Sequence, residues 1–213
     1  MLKREPLSFS WPRLIVITDP DGTRGLAPYV EALDGRVKGW MLILRDYESP
    51  MPQVLEHLES LVALSQGLVP VFLATSDPVL GEKAMECGAS GLHLPERAPS
   101  VEHFRKITSA PLMASIHSIE SARKRALEGA DALLLAPFGP VPGKGPPLSQ
   151  SEAKAIIGIS PLPIFALGGL QRQEDFARAF ALGAYGIAVR RAMAQAPDGA
   201  QALLELLKWC EAA

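Results

Sequence analysis

The sequence predicts an α/β fold, a single (β/α)8 barrel spanning residues 1–213, and three observations carry that expectation. Short hydrophobic runs rich in β-formers recur along the chain, and most are apolar throughout, as suits parallel strands covered on both faces. Segments with helical periodicity lie between them. The phrases ECGASGLH (86–93), LEGADALLL (127–135) and ALGAYGIAV (181–189) repeat one design: a helix ends at Gly, a small residue turns, and a strand enters.

In chain order, RLIVITD (13–19) reads as the first strand and ends in the turn-forming PDG. WMLILRD (40–46), VPVFLA (69–74) and GLHL (91–94) follow as strands two to four, then PLMASIH (111–117) and ALLLA (132–136). PIFALGG (163–169) and YGIAVR (185–190) complete the set of eight. Between strands two and three, Val54, Leu55, Leu58, Leu61, Val62 and Ser65 recur at three- and four-residue steps and predict a helix over 51–66.

SIESARKRALEGAD (118–131) begins with Ser at an N-cap position and a Glu close behind, stops at Gly129, and is expected to turn Arg123, Lys124 and Arg125 outward. QRQEDFARAFALGA (171–184) gathers Phe176, Ala179, Phe180 and Gly183 on one face, and AQALLELLKWCEAA forms the last amphipathic helix. Parallel strands need crossover connections, and eight of them close into a barrel. The competing arrangement is an open doubly wound sheet, but no Gly-rich dinucleotide fingerprint follows the first strand.

Bulk properties exclude several function classes. The chain is 48% hydrophobic with a net charge of −2 and has no basic run, which argues against a nucleic-acid partner. Cys87 and Cys210 lie far apart without ligand-like spacing and are expected to be reduced thiols. The start, MLKREPLSFSWPR, lacks the apolar core of a signal peptide, and no uninterrupted apolar window reaches membrane-spanning length. These features predict a soluble cytoplasmic protein with no membrane partner. The helices permit a homodimer without requiring one.

In such a barrel, reactive groups sit at the C-terminal ends of the strands. His117 is the best acid–base candidate, because an imidazole exchanges protons near neutrality. Ser115, two residues earlier, points to the same side of the strand. Gly168 and Gly169 would let backbone amides approach an anion where a helix begins near Gln171, and Ala188 and Val189 of the next strand end adjoin them, followed by Arg190 and Arg191. Arg45, His93 and Lys144 stand as further candidates for substrate contact. His57 and His103 fall on helices and are expected to be solvated. Asp19, Asp46 and Asp77 end different strands and either converge or cap helices, Asp77 before Pro78 being the strongest cap. No metal cluster stands out.

The order ITD…LILR…GASGLHLPE…ASIHSIESA…GADALLLAPFGPVPGKG…PIFALGGL…GAYGIAV resembles the thiamine phosphate synthase and thiazole tautomerase family over nearly the whole chain. The resemblance implies one of two activities. The synthase couples a pyrimidine diphosphate to thiazole phosphate and uses Mg²⁺ to hold the diphosphate; the tautomerase aromatises a carboxylated thiazole phosphate by proton transfer and uses no metal.

The departures from the synthase pattern cluster. Its Gln-x-Arg-x-Lys run is here ILRDY, which keeps only Arg45; HLPERA lacks the second metal carboxylate; and PVPGK loses both hydroxyls of the diphosphate loop while keeping Lys144. SIHS matches the tautomerase's Ser-Val-His-Ser, which assigns proton transfer to His117 and a supporting place to Ser115. The expectation is therefore a tautomerase-like isomerase acting on a small phosphorylated thiazole without a cofactor. The alternatives are the Mg²⁺-dependent synthase and a non-catalytic barrel that binds a phosphorylated metabolite.

Overall fold

The structure is a computed structural model and describes residues 9–19 and 23–212. The PDG turn and most of the N-terminal stretch compared with a signal peptide lie outside the described residues.

Eight parallel strands close into a barrel in chain order, β1 pairing with β8. They are β1 (Leu14–Ile17), β2 (Trp40–Leu44), β3 (Val71–Ala74), β4 (Gly91–Leu94), β5 (Leu112–Ile116), β6 (Ala132–Leu135), β7 (Ile164–Leu167) and β8 (Gly186–Val189). The helices are α1 (Ala27–Asp34), α2 (Met51–Ser65), α3 (Pro78–Glu86), α4 (Val101–Arg105), α5 (Ile119–Leu127), α6 (Gln150–Ile159), α7 (Gln173–Ala181), α8 (Arg191–Ala194) and α9 (Gly199–Glu211). The expected (β/α)8 architecture is thus present, with each expected strand in its place.

Because side chains alternate along a strand, each strand serves two cores. Leu14, Val16, Leu42, Leu44, Leu73, Leu92, Leu112, Ala114 and Leu133 pack outward against Tyr29, Leu58, Phe104, Ile156, Phe176 and Leu203 of the helices. Ile15, Ile17, Met41, Ile43, Phe72, Met113, Leu134 and Phe165 fill the barrel itself. Two glycines make room for its largest rings. A Cβ at Gly91 would stand 2.5 Å from Phe72, and one at Gly186 would stand 2.6 Å from Phe165.

Below these rings, Phe9 and Trp11 stack edge-on at 4.8 Å, with Trp11 5.8 Å from Phe72 and 6.0 Å from Phe165. They plug the end of the barrel where the strands begin.

The thrice-repeated phrase folds three times into the same knot. Gly88, Gly129 and Gly183 take φ of +87°, +93° and +96° just past α3, α5 and α7, a region open to glycine because it has no Cβ. The next amides, of Ala89, Ala130 and Ala184, bond back to the carbonyls of Ala84, Arg125 and Ala179. The amides after those, of Ser90, Asp131 and Tyr185, reach the carbonyls of Val71, Leu112 and Ile164 in the preceding strand. Each knot therefore ends a helix and sets the register of the next strand in one step.

One expectation about α5 fails. Arg123 and Lys124 are exposed, but Arg125 is buried at 7% exposure. Its guanidinium donates to the carbonyls of Glu96, Ala98 and Pro99 and to the Glu128 carboxylate, so its burial is matched by acceptors.

Candidate active site

The C-terminal ends of the strands surround an open cavity of about 870 Å³. Its floor is apolar, with Ile17, Ala74, Ala136, Leu167 and Ala188, and its rim is polar. The candidates for catalysis, phosphate binding and substrate contact line it: Arg45, His93, Ser115, His117, Lys144, Gly168, Gly169, Ala188 and Val189.

His117 follows β5 at the corner where the strand turns into α5. A capping box holds that corner, with Ser118 accepting from the Ser121 amide and the Ser121 hydroxyl accepting from the amides of His117 and Ser118. The expected N-cap is Ser118, and the residue that completes the box is Ser121. The ring is fixed at Nδ1, 2.6 Å from the Ala136 carbonyl oxygen. A carbonyl only accepts, so Nδ1 carries the hydrogen and neutral His117 presents its lone pair at Nε2. Nε2 lies 3.3 Å from the carboxylate of Glu96, which stands early in the turn after β4.

Ser115 shares the inward side of β5 with His117, but its recorded partner is a different histidine. His93 Nε2 sits 3.0 Å from Ser115 Oγ. His93 is 6% exposed, and burial, assisted by the Arg45 charge, holds its pKa down from 6.5 to about 4. It is therefore a neutral ring that positions the serine hydroxyl. Arg45 lies over the Tyr47 ring at 4.7 Å, with its amide bonded to the Thr18 hydroxyl.

His57 is not simply solvated. Its Nδ1 is buried 3.4 Å from Asp46 Oδ2, while Asp46 Oδ1 accepts from the amides of Glu48 and Ser49 and shapes the entry to α2. His103 is exposed, as expected.

Gly168 and Gly169 adopt φ of +99° and +71°. Their conformation serves the neighbouring loop as much as any ligand. Phe138 N donates to Leu167 O at 2.9 Å, and Gly139 N to Gly168 O at 2.7 Å. A Cβ on Gly169 would fall 2.4 Å from the Gly139 carbonyl carbon.

The helix expected near Gln171 begins two residues later, at Gln173, and the amides of Gln171 and Arg172 are taken by the buried Asp175 carboxylate. The positive side chains at this rim are Arg190, 3.6 Å from Asp19, and Arg191. In the long loop, Gly143 takes φ +76° and the Lys144 amide bonds to Val141 O, leaving the lysine exposed at the cavity edge.

The described acidic residues do not gather into one cluster. Among the described residues, no three His, Cys, Asp or Glu side chains group to hold an ion. Asp77 caps α3 through the Val79 amide, Asp46 is engaged as above, Asp19 faces Arg190 and Glu96 faces His117. Mg²⁺ needs only one or two carboxylates beside substrate phosphates, and Asp46, Asp77 and Glu96 line the cavity. Both cysteines are free thiols, and no described helix is long and apolar enough to cross a membrane.

Sequence reasoning counted Glu96 among the polar residues at the strand ends without giving it a role, and set Arg125 on the outward face of its helix. One stands in an unremarkable turn, and the other on a stretch of charges that suggests a solvated face.

Residues 14–193 match the family model described as thiamine monophosphate synthase. A thiamine-phosphate synthase of Methanoregula boonei is 32% identical over 120 residues, covering 54% of this chain and 55% of that protein. One of Herpetosiphon aurantiacus is 28% identical over 151 residues, covering 68% and 73%. The matches thus span little more than half the length of some curated relatives, including 58% of a putative thiamine-phosphate synthase 2 of Aquifex aeolicus. Among solved structures, thiamine phosphate pyrophosphorylase from Pyrococcus furiosus superposes with a TM-score of 0.79 at 23% identity, covering 94% of this chain and 96% of that one. At that identity, the likeness speaks to the fold.

Proposed function

Because the chain belongs to the thiamine monophosphate synthase family, we propose that its cavity binds a small thiazole phosphate and that His117 transfers a proton on it, a tautomerase-type isomerisation. The carrying observation is His117 itself. Its Nδ1 hydrogen is committed to Ala136, so Nε2, at the cavity rim beside the Glu96 carboxylate, is the atom left to take and return a proton.

The apolar floor suits a flat heterocycle. Gly168, Gly169, Arg190 and Arg191 gather at one side of the rim, where a phosphate would meet backbone and positive charge. Ser115, held by His93, would face the ring. The proton transfer needs no metal ion.

A second reading, Mg²⁺-dependent thiamine phosphate synthase, is favoured by the names of the curated relatives. The comparisons weigh toward it, and the missing ligand positions weigh against it.

One experiment separates the two. The purified protein is given the carboxylated thiazole phosphate tautomer alone, and separately thiazole phosphate with the pyrimidine diphosphate and Mg²⁺. Aromatisation in the first assay that falls by roughly 10²–10⁴-fold in His117→Ala supports proton transfer. Thiamine phosphate formed only in the second assay replaces it with the synthase. Binding of thiazole phosphate by calorimetry with no turnover in either would make the barrel a binding protein.

A further inference from the structure

The turn after β4 carries no secondary structure of its own between Pro95 and Ser100, yet it is held on several sides. Ala98 N bonds back to Pro95 O at 2.9 Å. Arg125 Nη2 reaches the carbonyls of Glu96 and Ala98 at 3.1 and 3.2 Å, and Nη1 reaches Pro99 O and Glu128 Oε2 at 3.0 Å each. The same Glu128 oxygen accepts the amide of Val101, the first residue of α4, at 3.0 Å. The guanidinium is thus a planar template onto which three carbonyls of one short turn are laid, in a place closed to water.

What the template presents is Glu96. Its backbone carbonyl is fixed by Arg125, and its side chain extends to the rim, where Oε2 meets His117 Nε2 at 3.3 Å. His117 stands just before the N-cap of α5, the helix that carries Arg125 and has Glu128 as its C-cap. One rigid helix therefore fixes both ends of the contact. A lone pair on Nε2 and a carboxylate repel, whereas a proton on Nε2 binds both. A proton passing to Nε2 therefore arrives beside the Glu96 carboxylate.

We propose that Glu96 is the positioning partner of His117 Nε2, and that Arg125, through the turn it holds, is the residue that sets Glu96 in place. This rests on the reading that His117 moves the proton. Glu96 acts on the imidazolium, and Arg125 acts only through Glu96.

The test uses the full chain and two readouts. In the first, the ¹⁵N resonances of the His117 ring are followed by long-range ¹H–¹⁵N correlation, which needs no substrate. Glu96→Gln is expected to move the Nε2 resonance, and Arg125→Met to move it in the same direction, while Arg123→Met, on the exposed side of the same helix, leaves it alone. In the second, tautomerase turnover is expected to fall on the order of tenfold to a hundredfold in Glu96→Gln with KM nearly unchanged. Adding Arg125→Met to that background should cost no further kcat, because both changes break one link.

An unmoved Nε2 in Glu96→Gln would overturn the partnership. A moved Nε2 in Glu96→Gln but not in Arg125→Met, or additive losses in the double variant, would reduce Arg125 to a structural residue. If Arg125→Met does not fold, Glu128→Gln loosens the same turn and takes its place, with the same outcomes. The expected shifts in a parent protein with no tautomerase activity would sink the proposed function and leave this inference standing.

Discussion

Replacing Gly169 by Ala tests whether the glycine pair serves the loop beside it. Two costs add at this position. Gly169 has φ +71°, and an L-residue held in the left-handed region pays about 1–2 kcal/mol. The new Cβ would also lie 2.4 Å from the carbonyl carbon of Gly139, and because the neighbour is backbone it cannot rotate away. Ordinary carbon contacts lie near ~3.5 Å, so the β6–α6 loop must retreat by about 1 Å.

That movement breaks the bonds from Phe138 N to Leu167 O and from Gly139 N to Gly168 O, each worth about 1 kcal/mol net. The expected loss is about 3–4 kcal/mol, read by urea unfolding as a lower midpoint at constant slope and by heating as a fall of roughly 10 °C. Gly143→Ala is the matched control. It has φ +76° and nothing within 4 Å of a built Cβ, so it should show the backbone cost alone. Equal, small losses in both variants would refute the argument, since the loop contact would then contribute nothing.

Two further perturbations test other parts of the fold. Burial holds the His93 pKa near 4 in the folded chain against 6.5 when free, so the unfolded state takes up the proton first as acid is added. Stability should therefore fall as pH drops from about 6.5 to about 4, by about 3 kcal/mol from this group at 1.36 kcal/mol per pH unit; His93→Gln should flatten that limb of an unfolding series, and parallel curves would contradict it. Phe165→Ala should cost about 3–5 kcal/mol by chemical denaturation, because the ring is fully buried against Trp11 and the space left by Gly186; a loss below 1 kcal/mol would mean that the plug is not packed as described.

The barrel was legible because its signals are local. Apolar runs without alternation identify strands covered on both faces, and a glycine followed by a small residue marks each of three helix ends. Strand parity likewise put Ser115 and His117 on one side of β5.

What escaped depends on contacts between distant residues. That Ser115 belongs to His93 requires the β4–β5 register, in which His93 stands opposite Met113. Arg125 looks like one more charge on a solvated face until the turn after β4 is laid beneath it. The start of α7 shifted because Asp175, a plain acidic residue in sequence, folds back over the amides before it. The sequence likewise offered Phe9 and Trp11 only as part of a stretch without a leader's apolar core, whereas their use is set by two phenylalanines far along the chain.

That aromatic plug has a consequence for traffic. Among the described residues, Phe9, Trp11, Phe72 and Phe165 stop the far end, and the cavity opens at the rim where Arg190, Arg191 and Lys144 stand. Whatever enters must leave the way it came, and a departing molecule occupies the path of the next arrival. An anion lodged among those cations would stand in the path of both.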